Sequence, residues 1–162
     1  MAYEECKVLS DKFLLPNQVV YELHAEFHSL LEMAEQKQDG AKEDDDDEEV
    51  GIPLGMFVES FTCLKEKHPE ISNRILEALG ISLHAKNSKI KWGNFLMLNS
   101  LCRYFTAQKH EFINFWLKVI NPLQYKTVTK VEFIDILEKL ARGSYTENNT
   151  LISQKYSKQF YQ

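Results

Sequence analysis

His24 and His28 stand one helical turn apart in "HAEFH", with Glu26 between them, and two imidazoles at that spacing can share a zinc ion. The order H-x-E-x-H differs from the H-E-x-x-H of zinc proteases, in which the glutamate serves as general base. With no third ligand evident, the pair reads as the partly exposed flank of a helix. The densest carboxylates are Asp44, Asp45, Asp46, Asp47, Glu48 and Glu49. Their oxygens are ample for a cation, but their spacing matches no chelating loop, so weak, diffuse cation association is the most expected of them. Cys6, Cys63 and Cys102 are odd in number and form no C-x-x-C pair, which fits reduced packing thiols better than a disulfide framework. His68, His84 and His110 read as boundary and surface residues. No G-x-S-x-G, Walker-type loop, dinucleotide fingerprint or nucleophilic Cys/His pattern occurs, so neither catalysis nor a cofactor is expected.

The elements that carry these residues must come from a chain of 162 residues, 44% of them hydrophobic, which is enough for one substantial core. A net charge of -5 argues against non-specific binding to nucleic acid or acidic lipid, because neither polyanion attracts an acidic protein. "MAYEECKVLSDKFLL" has acidic residues where a secretion signal would be basic, and no apolar window approaches the roughly 20 residues of a membrane span. A cytoplasmic protein with no membrane contact is the expectation.

Glycine and proline are few, and apolar residues recur at three- and four-residue spacing, which predicts an all-α chain. After an N-terminal segment, 1–16, a long amphipathic helix is expected over 17–37, with Val19, Val20, Leu23, Phe27, Leu30 and Leu31 on one stripe and Pro16 at its entrance. An acidic insertion, 38–51, follows and reads as a solvated loop. Further helices are expected at about 53–66, 69–80, 92–105, 108–120 and 130–141. They are separated by His68-Pro69, by Gly80 as a cap and by Asn121-Pro122. The polar tail, 142–162, carries scattered Leu151, Ile152, Tyr156, Phe160 and Tyr161, and order there is expected only if these dock. "HAKNSKIKW" is locally basic and reads as solvated surface.

An apolar residue followed five positions later by phenylalanine recurs at a fixed period in Ile52/Phe57, Ile90/Phe95 and Val128/Phe133, with 38 residues from each to the next. Each match begins a helical pattern. The chain in this respect resembles the EF-hand superfamily, in which a twelve-residue loop joins two helices, its eighth residue is a buried aliphatic and phenylalanine often follows the twelfth. With Asn121 first, Val128 is eighth, Glu132 twelfth and Phe133 next. Ile113, Trp116, Leu117 and Ile120 then fall at the apolar positions of the entering helix, and Phe133, Ile136, Leu137 and Leu140 at those of the exiting helix. The resemblance implies three helix-loop-helix units, about 17–66, 69–105 and 108–141, in one domain over 17–141. The second and third are expected to pair through a short β bridge at Ile90 and Val128.

Calcium takes six to eight oxygens, drawn in such a loop from positions one, three, five, seven, nine and twelve, with glycine at six. The third unit offers Asn121, Leu123, Tyr125, the Thr127 carbonyl, Thr129 and Glu132. Lys126 stands at six, where a positive φ would be costly. The second loop has no carboxylate, so no tight metal site is expected. The resemblance implies a non-catalytic, calcium-independent adaptor or light-chain-like subunit that binds an amphipathic helix of a larger assembly, with a cytoskeletal or ciliary setting as an analogy. Phe95, Leu98, Phe105, Phe112, Trp116, Phe133 and Leu137 are the residues expected to line its partner site. Only four methionines are present, which favours a dedicated partner over promiscuous capture. The competing expectation is a calcium-responsive sensor that uses the acidic insertion.

Overall fold

A computed structural model describes residues 1–37, 50–85 and 88–142. Among them the chain is mostly helical, with eight α-helices, one π-helical segment and a two-stranded sheet.

Helix α1 (Tyr3–Phe13) lies in the segment expected to stand outside the helical domain, yet its Cys6 and Phe13 are buried in the common core, as is Leu15 after it. The helix stops at Leu14, whose φ of 52° turns the chain, while the Ser10 hydroxyl donates to the Leu15 carbonyl at 2.6 Å. A non-glycine residue in the left-handed region is a weak signal to read from sequence. Helix α2 (Asn17–Lys37) has the expected bounds, and the Pro16 carbonyl accepts its first turn's bond from the Val20 N–H. Val20, Leu23 and Phe27 point inward, and α1 packs along it.

The sheet joins β1 (Ile52–Pro53) to β2 (Lys89–Ile90), antiparallel, with Ile52 opposite Ile90. The bridge expected between Ile90 and Val128 is therefore replaced by one between the first and second units. Gly51 makes this possible: a Cβ there would stand 2.9 Å from the Lys89 Cβ and 3.0 Å from the Ile90 carbonyl oxygen. Ile52 and Ile90 are completely buried, as are the phenylalanines five residues on, Phe57 and Phe95.

The helix expected over 53–66 is two: α3 (Leu54–Ser60) and α4 (Thr62–Lys65). Phe61 between them takes extended dihedrals, φ -89° and ψ 100°, and its ring stacks on Phe57 at 5.0 Å. Burying that ring decides the break, because a buried phenylalanine outweighs the hydrogen bonds of one helical turn. Helix α5 (Pro69–Ala78) has proline in its first turn, and the His68 Nδ1 accepts from the Glu70 N–H. It ends at Ala78, and just beyond it the φ of 77° at Gly80 lets the Ile81 N–H reach back to the Leu76 carbonyl.

Helix α6 (Trp92–Leu98) was expected to continue to 105 but passes into a π-helical segment, Asn99–Arg103. Asn99 is fully buried, its side-chain amide donates to the Phe95 carbonyl at 2.9 Å, and the Tyr104 N–H bonds the Asn99 carbonyl. The wider turn seats this polar side chain without leaving it unpaired. Helices α7 (Lys109–Ile120) and α8 (Lys130–Arg142) both pack on α5.

Candidate partner-binding face

A polar junction on α5 places α7 and α8. The Arg74 guanidinium donates to the carbonyls of Val119 and Ile120, each at 3.3 Å, satisfying the exposed end of α7. Glu70 pairs with Arg74 at 2.8 Å and also accepts from the Lys139 ammonium of α8. Lys139 reaches Asp135 on its own helix as well, at 2.7 Å. Hydrogen bonding from Lys139 first, and from Arg74 after it, holds the Glu70 carboxyl below the usual carboxylate range against the opposing effect of burial.

Both helices carry more apolar surface than that junction and the core consume. On α7, Phe115 and Val119 are buried, Phe112, Trp116 and Ile120 are half-buried, and Ile113 and Leu117 face solvent. At about 100° per residue this sector spans roughly 200°, where one packed face needs little more than about 100°. On α8, Ile136 is buried and Leu140 half-buried, while Phe133, Leu137, Ile134 and Val131 are exposed, Val131 by 78%. Leu123 and Tyr125, in the loop between the helices, are also exposed. Eight of the exposed large apolar residues among those described thus fall within 113–137. The indole N–H of Trp116 is buried there without an acceptor among the described residues, a cost of about 1–3 kcal/mol.

Of the residues expected to line a partner site, Phe95 and Leu98 are completely buried and cannot touch a partner. Phe95 instead sits among Phe27, Phe57, Phe61 and Trp92, at ring separations of 5.3 to 6.3 Å. Phe105 is exposed, with a φ of 55°, and leads through Phe112, 6.4 Å away, to Trp116 a further 6.2 Å on. Phe133 and Leu137 are exposed one turn apart on α8. Leu123, Tyr125, Val131 and Ile134 were not expected in the site. For Val131 and Ile134 the signal was present as apolar residues in excess of one helical stripe, and for Leu123 and Tyr125 as large apolar residues in a connecting loop.

In the loop from Asn121 to Glu132, the Asn121, Thr129 and Glu132 side chains bond within the loop itself. Asn121 exchanges two bonds with the Tyr125 backbone: its Nδ2 donates to the carbonyl at 2.6 Å and its Oδ1 accepts from the N–H at 3.1 Å. Glu132 Oε2 accepts from the Thr129 N–H at 2.9 Å and from its hydroxyl at 2.7 Å, while the Thr129 Oγ1 accepts from the Glu132 N–H at 3.2 Å. This reciprocal arrangement is a capping box at the start of α8. The side-chain bond from Thr129 lowers the Glu132 carboxyl below its ordinary range. The residue with positive φ in this loop is Gln124, at 52°, and not Lys126, so the chain turns elsewhere than a metal-cradling loop would require.

Among the described residues no group of three His, Cys, Asp or Glu side chains is placed to hold a metal. Asp44 to Glu49 lie outside the described residues. His24 and His28 approach Nε2 to Nε2 at 3.1 Å, a hydrogen bond whose donor is set by the tautomers of the two rings. Burial first, and then His28, lowers the pKa of His24, whose ring meets Trp92 edge-on at 5.6 Å. The three cysteines are free, and burial pushes the Cys102 thiol up to about 12. Among the described residues no helix is long and apolar enough to cross a membrane.

No protein-family model, curated protein or solved structure matches this chain.

Proposed function

We propose that this chain is a non-catalytic, calcium-independent adaptor with degenerate EF-hand-like units, light-chain-like in role, that binds an amphipathic helix of a larger assembly through α7, α8 and the loop between them. The observation that carries this reading is the crowding of exposed apolar side chains onto that one unit, in which Ile113 and Leu117 on α7 and Phe133 and Leu137 on α8 each lie one turn apart. Calcium independence is supported by the commitment of Glu132 and Asn121 to bonds within the loop. The EF-hand-like reading is supported by the 38-residue recurrence and by the antiparallel meeting of its first two members at Ile52 and Ile90. A cytoplasmic setting in a cytoskeletal or ciliary assembly belongs to this proposal by analogy.

Quantitative capture from cell extract tests it, comparing the full chain with a Phe133→Ser/Leu137→Ser variant, in calcium and in chelator. Because both side chains are exposed, the variant is expected to keep its helicity while losing the captured partner by tenfold or more in either condition. Retention of the partner by the variant, or capture only in calcium, would overturn the proposal.

A further inference from the structure

The histidine pair on α2 has a geometry that its spacing alone does not dictate. His24 and His28 turn the same ring atom, Nε2, toward one another at 3.1 Å, with ring centroids 4.3 Å apart and planes inclined at 55°. Neighbouring rings seat them there. His24 meets the half-buried Trp92 of α6 edge-on at 5.6 Å, and His28 meets the buried Phe27 edge-on at 6.3 Å. Phe27 packs on Trp92 in turn, at 5.3 Å, so the pair is anchored on the seam between α2 and α6 while His28 stays open to solvent.

We propose that His24 and His28 form a two-imidazole site for a divalent transition-metal ion of the Ni²⁺, Cu²⁺ and Zn²⁺ class. An ion about 2.0–2.1 Å from each Nε2 subtends an angle of about 100° across their 3.1 Å separation. That angle lies between the about 90° of square-planar or octahedral ligands and the about 109° of tetrahedral ones, so each geometry is reached with little movement of the rings. On binding, the hydrogen between the two rings passes to Nδ1 of the ring that donated it. Both Nε2 lone pairs then face the ion, and both rings remain neutral.

Imidazole nitrogen selects this class of ion over Ca²⁺ and Mg²⁺, which take oxygen ligands. Glu26, between the two histidines in sequence, is drawn to Arg103 at 2.9 Å. Among the described residues no third His, Cys, Asp or Glu joins the pair, so the remaining coordination positions go to water or to a donor on a bound molecule. The site is thus an open one with two protein ligands. It is carried by α2 and not by α7, α8 or the loop between them, so it stands or falls independently of the partner-binding reading.

Copper titration of the full chain carrying Trp116→Phe, which leaves Trp92 as its one tryptophan, tests the site. Cu²⁺ is expected to quench the Trp92 emission to saturation at one equivalent, because the ion binds the ring that Trp92 touches. Ni²⁺ and Zn²⁺ are expected to reverse the quenching by competition, each binding more weakly than Cu²⁺, and Ca²⁺ and Mg²⁺ to leave it unchanged. His28→Asn, at an exposed position, is expected to keep the helicity and to weaken Cu²⁺ binding about tenfold or more. The electron paramagnetic resonance spectrum of bound Cu²⁺ is expected to show coupling to two imidazole nitrogens in the wild type and to one in His28→Asn. An absence of saturable quenching overturns the site. Binding or nitrogen coupling unchanged by His28→Asn also overturns it, because the copper would then sit on His68, His84, His110 or the amino terminus.

Discussion

Glu132 shows how a residue kept for one purpose can resemble a residue kept for another. Its position after Asn121 suits a bidentate ligand, yet its carboxylate is spent on the Thr129 N–H and hydroxyl, where it caps α8 and meets the positive end of that helix. Thr129→Ala is expected to cost about 1 kcal/mol of stability and to fray the first turn of α8, read by amide exchange at 130–133. The pH dependence follows from the lowered Glu132 carboxyl. Its contribution is complete above the ordinary glutamate pKa and is lost as pH falls through the lowered one, so exchange at the head of α8 is expected to rise only in that acid range. The capping box was not read from the sequence, although Thr-x-x-Glu stands before the α8 pattern, because the same residues fit loop positions of a calcium-type site. The burial of Phe95 and Leu98 was not read either, because periodicity names an apolar face without saying whether the chain itself covers it.

At the scale of elements, the helices that matched expectation are those whose ends carry a backbone reason. Pro16 opens α2, and proline at 69 with glycine at 80 frames α5. The departures come from tertiary demands: Phe61 breaks its helix to stack on Phe57, and Asn99 widens its own by bonding Phe95. Helix α1 was missed because its apolar residues are sparse and its stop is a leucine in a left-handed turn. The junction at Glu70 was equally unreadable, since it joins residues 69 positions apart. Glu70→Gln is expected to loosen α8 from α5 while costing only about 0.5–1 kcal/mol, because the carboxylate is 37% exposed and solvent screens both of its pairs. Acid is expected to mimic the substitution: with the Glu70 pKa lowered, the anchoring is intact above the ordinary carboxylate range and lost as pH falls through the lowered value. Amide exchange along α8, with α2 as the unaffected reference, checks both.

For the whole molecule, the three-fold recurrence was visible in the sequence but the pairing within it was not. The deciding residue is Gly51, whose missing side chain lets Ile52 approach Ile90. With Ile52 and Ile90 paired, the surplus apolar surface over 113–137 becomes the most informative feature among the described residues. A photo-crosslinking amino acid placed at Leu137 tests most directly whether that surface exists to be covered by protein without calcium. Tyr21, exposed on α2, serves as the control position. Irradiation in cells or in extract, with calcium or with chelator, is expected to give one discrete protein adduct at position 137 in both conditions and none at position 21. No adduct at position 137, or one that forms only when calcium is present, would contradict a calcium-independent partner face on α7 and α8.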